Sequence, residues 1–140
     1  MTLQLRFRLS LAVLCTVLIA SALVALSEEQ SKQKWSAPAA EAQKKNPIAA
    51  SESSRAAGQK IYLKTCAMCH GKTGDADGPA VMELNIHPAK LSDPKLANES
   101  DGSLFWKITT GKKPMPGFGR RLSETDRWHL VNYIRTLPKQ

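Results

Sequence analysis

The most constraining feature of this 140-residue sequence is a pair of cysteines three positions apart, with a histidine directly after the second one. The run is Cys66-Ala67-Met68-Cys69-His70. Two thiols at this spacing followed by histidine are typical of c-type haem attachment. The thiols add to the two vinyl groups of one porphyrin, and the imidazole of the next residue then binds the iron on the proximal side. We therefore predict one haem c, attached covalently through Cys66 and Cys69, with His70 as the proximal iron ligand.

Three other interpretations of the motif are weaker. A thioredoxin-like redox pair is expected in a βαβ context, which the flanking sequence does not show. A structural zinc site needs a second pair of ligands, and the remaining candidates are Cys15 in an apolar N-terminal run, His87 and His129. A disulfide between Cys66 and Cys69 would close a strained small ring. Zinc binding and dithiol redox chemistry remain the alternatives to haem attachment.

Length and charge restrict the class of partner. The chain has room for one small domain, and a covalent cofactor supplements the limited apolar core of a domain of that size. The net charge is +8, from 20 basic and 12 acidic side chains. Such a balance suits docking to an acidic protein surface. Nucleic acid is a poor fit, because the sequence has neither an arginine-rich helix nor a platform of aromatic and basic residues. We predict redox protein partners with acidic docking surfaces.

Residues 1–26 have the pattern of an export signal or an N-terminal membrane anchor. Arg6 and Arg8 precede an apolar run, and small residues at 20–22 offer a cleavage site. The apolar run is also about long enough to cross a bilayer uncleaved, so both interpretations stay open. Lipidation at Cys15 is disfavoured, because a bulky residue precedes it. In each case the rest of the chain is predicted to lie in a bacterial periplasm, where c-type haem is attached.

The rest of the chain divides into a polar segment and one predicted domain. Residues 27–51 are rich in Ala, Lys, Gln and Ser, which is typical of a linker or loosely ordered arm. Residues 52–140 form the domain, which we predict to be all-α because no alternating strand pattern appears. Three helices are clearest. The first begins near Glu52 after a serine cap, and the second runs from Asp101 to Thr110 and ends at Gly111. The third begins at the Ser123/Asp126 pair and is closed by Pro138.

The order of the motifs points to a family. The cysteine motif follows the first helix, Gly78-Pro79 comes shortly after it, and Met115-Pro116 lies in a late loop before the last helix. Together these pieces, which cover about Glu52 to Leu137, resemble a class I cytochrome c. The resemblance implies a small all-α domain wrapped around one covalently bound haem. It also implies that the first and last helices cross at a glycine and an aromatic pair, which match Gly58 and Tyr62 on one side and Leu130 and Tyr133 on the other.

The resemblance further implies roles around the iron. In the family the proline carbonyl of a Gly-Pro pair accepts the second ring proton of the proximal histidine, so Pro79 is the matching acceptor for His70. A loop methionine closes the distal face in the family, which makes Met115 the expected sixth ligand. A thioether raises the reduction potential relative to a second histidine. His87 is the main competitor of Met115, whereas Met82 is expected to pack in the core.

Other side chains are expected near the haem. Trp106 is a candidate to donate a hydrogen bond to a haem propionate, since a buried indole N–H needs a partner, and plain packing is the alternative. Phe105, Leu84 and Phe118 are expected pocket walls. Four cations flank the methionine loop and are expected to steer an acidic partner: Lys112, Lys113, Arg120 and Arg121.

The function implied is that of an exported monohaem c-type cytochrome that carries single electrons between redox partners and is not an enzyme. Iron with both axial positions filled favours electron transfer and hinders substrate binding. Two alternatives stay open. One is a haem-bearing subunit of a larger dehydrogenase or oxidase complex, and the other is a haem enzyme or ligand sensor with an open sixth site.

Overall fold

The computed structural model describes residues 35–137, and regular structure in this part of the chain is helical. The helices are α1 (Ala39–Ala42), α2 (Glu52–Thr65), α3 (Ala67–His70), α4 (Asp101–Thr110) and α5 (Glu124–Ile134), with 3₁₀ turns at Val81–Glu83 and Pro94–Asn98. No strand occurs within residues 35–137, so the all-α prediction is confirmed. The predicted signal or anchor at 1–26 lies outside the described residues. Within them, no helix has the length and apolarity needed to cross a membrane.

Serine caps set the start of the three long helices. Ser51, Ser100 and Ser123 each precede a helix, and each hydroxyl accepts a hydrogen bond from the amide three residues later, at 3.1, 3.1 and 3.0 Å. Each bond satisfies an amide that has no partner within its own helix. Helix α4 has the predicted bounds and is followed by Gly111 at a φ of 65°. The last helix ends at Ile134, earlier than the predicted closure at Pro138.

Helices α2 and α5 cross at Gly58. A Cβ atom on Gly58 would overlap the carbonyl oxygen of His129 and lie 2.8 Å from the Cβ of Tyr133. The two backbones therefore touch, which only a residue without a side chain permits. Beside the contact, the rings of Tyr62 and Tyr133 pack with centroids 5.2 Å apart. The expected crossing is confirmed, and Leu130 is fully buried beneath it.

The core joins this crossing to α4. Phe105 of α4 stacks on Trp128 of α5 with ring centroids 3.9 Å apart and an angle of 15° between the ring planes. Packing of this kind adds to the free energy that burial of the two rings already contributes. The other buried apolar side chains of the same cluster are Ala67, Leu104, Ile108, Phe118, Val131 and Ile134. These apolar side chains and the stacked rings therefore hold α4 against α5.

The segment expected to be a loose arm up to Ser51 is ordered from Ser36 onward and belongs to the same unit as the helices. Its carbonyls lie against α4: a Cβ on Gly102 would come within 2.7 Å of the Lys44 oxygen, and Ser100 donates a hydrogen bond to Ala42 at 2.6 Å. The domain therefore begins earlier than Glu52. Docking by main-chain carbonyls and small side chains explains the difference, because it requires no run of apolar residues.

A buried polar network fixes the end of this arm. The Asn132 amide of α5 donates hydrogen bonds to the Ile48 carbonyl at 3.1 Å and to the Ser54 hydroxyl at 2.8 Å. The Asn46 amide in turn donates to the side-chain oxygen of Asn132 at 2.8 Å. Ser54 also bonds to Nδ1 of His129 at 2.8 Å. Asn132 and Ser54 are both buried, so these bonds replace the hydrogen bonds to water that their side chains would make in the unfolded chain.

Candidate haem-attachment site

The cysteine motif forms one turn of helix directly after α2. The Cys66 amide donates to the Tyr62 carbonyl at 2.8 Å, and the His70 amide donates to the Cys66 carbonyl at 2.9 Å. Cys66 and Cys69 are both half-buried free thiols, so the disulfide alternative is not formed. Burial raises the pKa of the Cys66 thiol. Two separate thiols on one helical turn, with a histidine at its end, match the requirements for attaching a porphyrin at two points.

The His70 ring is oriented by a backbone carbonyl. Its Nδ1 lies 3.0 Å from the Ala89 oxygen, and because a carbonyl only accepts, Nδ1 carries the proton. This tautomer leaves the lone pair of Nε2 available for a metal. Burial lowers the pKa of His70, outweighing the opposite effect of the Ala89 hydrogen bond, so the neutral imidazole is favoured. A metal-binding histidine usually has such a partner on its other nitrogen.

The prediction that Pro79 accepts this proton is wrong. The Gly78-Pro79 segment is instead tied to the carbonyl end of the motif helix. The Gly78 amide donates to the Cys69 carbonyl at 3.3 Å, and the Ala80 amide donates to the Met68 carbonyl at 3.0 Å. A Cβ on Gly78 would lie 2.6 Å from the Ala67 oxygen. The glycine thus lets this segment brace the motif, while the ring of His70 bonds to a later loop.

A buried tyrosine fixes the far end of the motif. The Tyr62 hydroxyl donates to the Gly71 carbonyl at 2.8 Å. Burial raises the pKa of Tyr62, which favours the protonated hydroxyl that donates this hydrogen bond. Gly71 itself has a φ of 77°, a conformation that suits glycine. The motif is therefore held at its start by α2 and at its end by the same helix.

The loop that carries Met115 is attached tightly at its base. The Phe118 amide donates to the Ile108 carbonyl at 2.9 Å, and the Gly119 amide donates to the Thr109 carbonyl at 3.0 Å. On the opposite side, a Cβ on Gly111 would lie 2.7 Å from the Met115 oxygen. The Met115 side chain is half-buried and packs against the edge of the core. The loop thus presents its methionine from a stem joined to the end of α4.

The remaining candidates differ in exposure. Phe105 and Phe118 are buried, whereas Trp106 is half-buried on α4. His87 is exposed in its loop, and the Nδ1 of half-buried His129 is engaged by Ser54. The expectation for Met82 is wrong: it is 93 % exposed, and its neighbour Val81 turns inward instead. Within residues 35–137, no three His, Cys, Asp or Glu side chains are grouped closely enough to hold a metal ion.

These side chains fit a haem. The thiols are free, and the Nδ1 atom of His70 is hydrogen-bonded to the Ala89 carbonyl. One half-buried methionine lies on a loop whose base is hydrogen-bonded to the end of α4. The sequence alone did not indicate Ala89, because a backbone acceptor has no residue signature. The sequence did indicate the basic residues on both sides of the methionine loop. All four of them are exposed: Lys112, Lys113, Arg120 and Arg121.

Comparisons with known proteins identify the family of the chain. The family model described as "Cytochrome C oxidase, cbb3-type, subunit III" matches residues 53–134. The chain belongs to this family of class I c-type cytochromes. It is similar to cytochrome c6 of Alaria esculenta, at 32% identity over 56% of this chain and 86% of that protein. It is also similar to cytochrome c6 of Bumilleriopsis filiformis, at 34% identity over 59% of this chain and 91% of that protein.

Two solved structures resemble this cytochrome as well. A chain of the Kuenenia stuttgartiensis reducing HAO-like protein complex shares 33% identity with a TM-score of 0.61, over 66% of this cytochrome and 47% of that chain. The KustC0563 c-type cytochrome shares 28% identity with a TM-score of 0.51, over 59% of this cytochrome and 98% of that chain. The cytochrome is thus a monohaem electron-transfer protein with one covalent haem c, and its Cys66 and Cys69 have the spacing of the attachment motif.

Proposed function

We propose that this cytochrome is an exported one-electron carrier in which His70 and Met115 are the two axial ligands of the iron. The observation that carries the proposal is the pairing of a His70 ring fixed by the Ala89 carbonyl with a Met115 side chain presented by a tight loop. When bound, the haem supplies a reversible one-electron change at its iron. The residues of the chain hold the ligands in place in both oxidation states, which keeps the change of structure on electron transfer small.

Each residue near the motif has a defined task. Cys66 and Cys69 fix the cofactor, and Ala89 holds the proton of Nδ1 so that Nε2 of His70 stays free for iron. The Met115 thioether favours ferrous iron and so raises the reduction potential. Trp106, half-buried on α4, remains the candidate donor to a haem propionate. No residue is assigned to substrate, and the haem enzyme or sensor is the alternative if Met115 does not bind iron.

Its partners are proposed to be redox proteins with acidic docking surfaces. The four cations around the methionine loop are exposed, and none of them forms an ion pair with a carboxylate among residues 35–137. Unpaired charge of one sign steers an oppositely charged partner during its approach. The apolar run within residues 1–26 supports export to a periplasm. The segment is either cleaved after export or retained as a membrane anchor.

A subunit role is the second candidate. The family description names an oxidase subunit, and one similar chain belongs to a multiprotein complex. In that case the loop cations form a fixed interface rather than a transient one. Purification from detergent-solubilised native cells distinguishes the two, since a carrier elutes alone at moderate salt and a subunit elutes with its complex.

Replacing the proposed sixth ligand gives the main test. We expect Met115→Ala to lower the reduction potential by roughly 100 mV or more, within the roughly 0.8 V range that axial ligands control. The ferrous variant is also expected to bind carbon monoxide promptly, whereas the ferrous parent does not. Potentiometry and absorption spectra of the purified holoprotein measure both effects.

Met82→Ala is the matched control, because this methionine is 93 % exposed and near the haem motif in sequence. It should leave the potential and the carbon monoxide response unchanged. An unchanged potential in Met115→Ala rejects that residue as a ligand, and prompt carbon monoxide binding by the parent favours the sensor or enzyme.

Charge steering is tested with small redox probes. Oxidation of the ferrous cytochrome by anionic ferricyanide is expected to slow as salt rises, since the Debye length falls from about 30 Å at 0.01 M to about 3 Å at 1 M. Lys112→Gln with Lys113→Gln should slow the low-salt reaction severalfold, because two unpaired cations are lost. The control pair Lys60→Gln with Lys95→Gln changes the net charge equally at exposed sites elsewhere. If both pairs of substitutions slow the reaction equally, the effect comes from the net charge of the protein, and the proposed local steering surface is rejected.

A further inference from the structure

Arg127 is a buried cation that the function described so far does not use. It lies in the first turn of α5 and is only 9 % exposed. No carboxylate forms an ion pair with it among residues 35–137. Removing a guanidinium from water costs free energy that a chain recovers only when the group is held by specific contacts. The contacts of Arg127 therefore indicate what it does.

Those contacts all lie at the base of the methionine loop. The Nη1 group of Arg127 donates to the Thr109 hydroxyl, and its Nε donates to the Ser123 carbonyl at 3.3 Å. The guanidinium also lies over the Phe105 ring, 4.7 Å from its centroid. Thr109 is in the last turn of α4, and Ser123 is the cap of α5. One side chain thus joins the last turn of the helix before the loop to the first residue after the loop.

The same threonine also holds the loop itself. Its carbonyl accepts the Gly119 amide at 3.0 Å, while its hydroxyl donates to the Phe105 carbonyl at 2.7 Å. A shift of Thr109 would therefore move the stem on which Met115 is presented. A planar guanidinium suits this position because it donates in two directions and stacks on an aromatic face at once, which an ammonium group cannot do.

We propose that Arg127 is a positioning residue that clamps the two ends of the 111–122 loop and thereby keeps the Met115 thioether on the iron. This rests on the proposed ligation by Met115. The clamp opposes detachment of the methionine, so its loss favours any external ligand that competes for the sixth position. The predicted effect of losing Arg127 is therefore tighter binding of an external ligand at the sixth position, and not only a lower stability of the fold.

The test is a titration of the ferric holoprotein with imidazole, followed by absorption spectra. In Arg127→Met, we expect the apparent Kd for imidazole to fall about tenfold, the size of one charge-assisted hydrogen bond. Methionine keeps most of the aliphatic length of arginine without its charge and donors. Arg127→Lys should show the same direction with a smaller change, and it carries the test if Arg127→Met does not accumulate.

Two controls separate positioning from loosening of the fold. Arg135→Met removes another arginine of the same helix region, whose bonds go to Asp101 at 2.8 Å and to the Leu96 carbonyl at 3.0 Å, away from the loop. It should leave the imidazole Kd unchanged. In a Met115→Ala background, where no methionine must be displaced, adding Arg127→Met should also leave the Kd unchanged.

The outcomes distinguish the two proposals. If Met115→Ala binds imidazole more tightly than the parent but Arg127→Met does not, the clamp is rejected and the ligation stands. An equal effect of Arg127→Met with and without Met115 also rejects the clamp, because the change then comes from general loosening. If Met115→Ala binds imidazole no more tightly than the parent, the proposed ligation fails, and the clamp on it fails with it.

Discussion

The double variant Cys66→Ala with Cys69→Ala is expected to lose covalent haem and to remain unfolded. The described domain has few buried apolar side chains, of which only Tyr62, Leu130 and Val131 are large and fully buried. With so few large buried side chains, the chain alone gains little stability from burying apolar surface, and we expect it to need a further contribution. The covalently held porphyrin would supply that contribution as a large apolar group that cannot leave.

The measurement is made on protein matured in cells that carry a haem-attachment system. Haem that survives denaturing electrophoresis reports the thioether bonds, and far-ultraviolet circular dichroism reports the helices. Cys15→Ala is the matched control, because it is the same substitution in the apolar N-terminal run. It should leave both signals unchanged. A haem-free double variant with full helical signal would show that the chain folds without its cofactor, and covalent haem in that variant would show that the motif does not attach it.

The second large effect concerns the helix crossing. Gly58→Ala is expected to lower the free energy of unfolding by about 3 kcal/mol, at the upper end for overpacking, because the new Cβ overlaps a main-chain carbonyl. Helix propensity alone predicts the opposite, since alanine favours a helix by about 1 kcal/mol over glycine. The sign of the change therefore decides between local preference and tertiary contact. Gly58→Val, which is larger still, is expected not to accumulate as folded holoprotein.

Guanidinium unfolding of the holoprotein, followed by circular dichroism, gives the free energies. Gln59→Ala is the control, because it lies next to Gly58 on the exposed side of α2. Its effect should stay within about 0.5 kcal/mol. A Gly58→Ala protein as stable as the parent would mean that α2 and α5 separate without cost, and the close crossing would then not hold the fold together.

Local chemistry made most of the helices predictable. Ser51 and Ser123 stop the backbone amides of the next turn from being left without a partner, and Gly111 allows the conformation that ends α4. Such signals lie within a few residues of each other, so the sequence contains them. The Gly58 crossing was predictable only through the resemblance, since a glycine inside a helix otherwise indicates weakness rather than contact.

The contacts that escaped prediction are made by groups common to every residue. The Ala89 carbonyl orients His70, and the carbonyls of Glu41, Ala42 and Lys44 lie against Gly102. The partner in each contact is a main-chain carbonyl, which every residue has, so no sequence pattern indicates which residue supplies it. Arg127 escaped for a different reason. Arginine is mostly exposed in proteins, and its burial became evident only when Thr109 and Phe105 were seen beside it.

Two of the three glycines in the 111–122 loop indicate which part of the loop can change in sequence and which part cannot. A Cβ on Gly111 or Gly117 would meet main-chain atoms across the stem, at 2.5 Å from the Pro116 carbon and the Thr110 oxygen respectively. The tip at Lys112 and Lys113 is exposed and meets no such limit. We expect relatives to differ in partner preference through the tip while retaining the stem. The tip is accordingly the place to redesign docking without disturbing the proposed iron ligand.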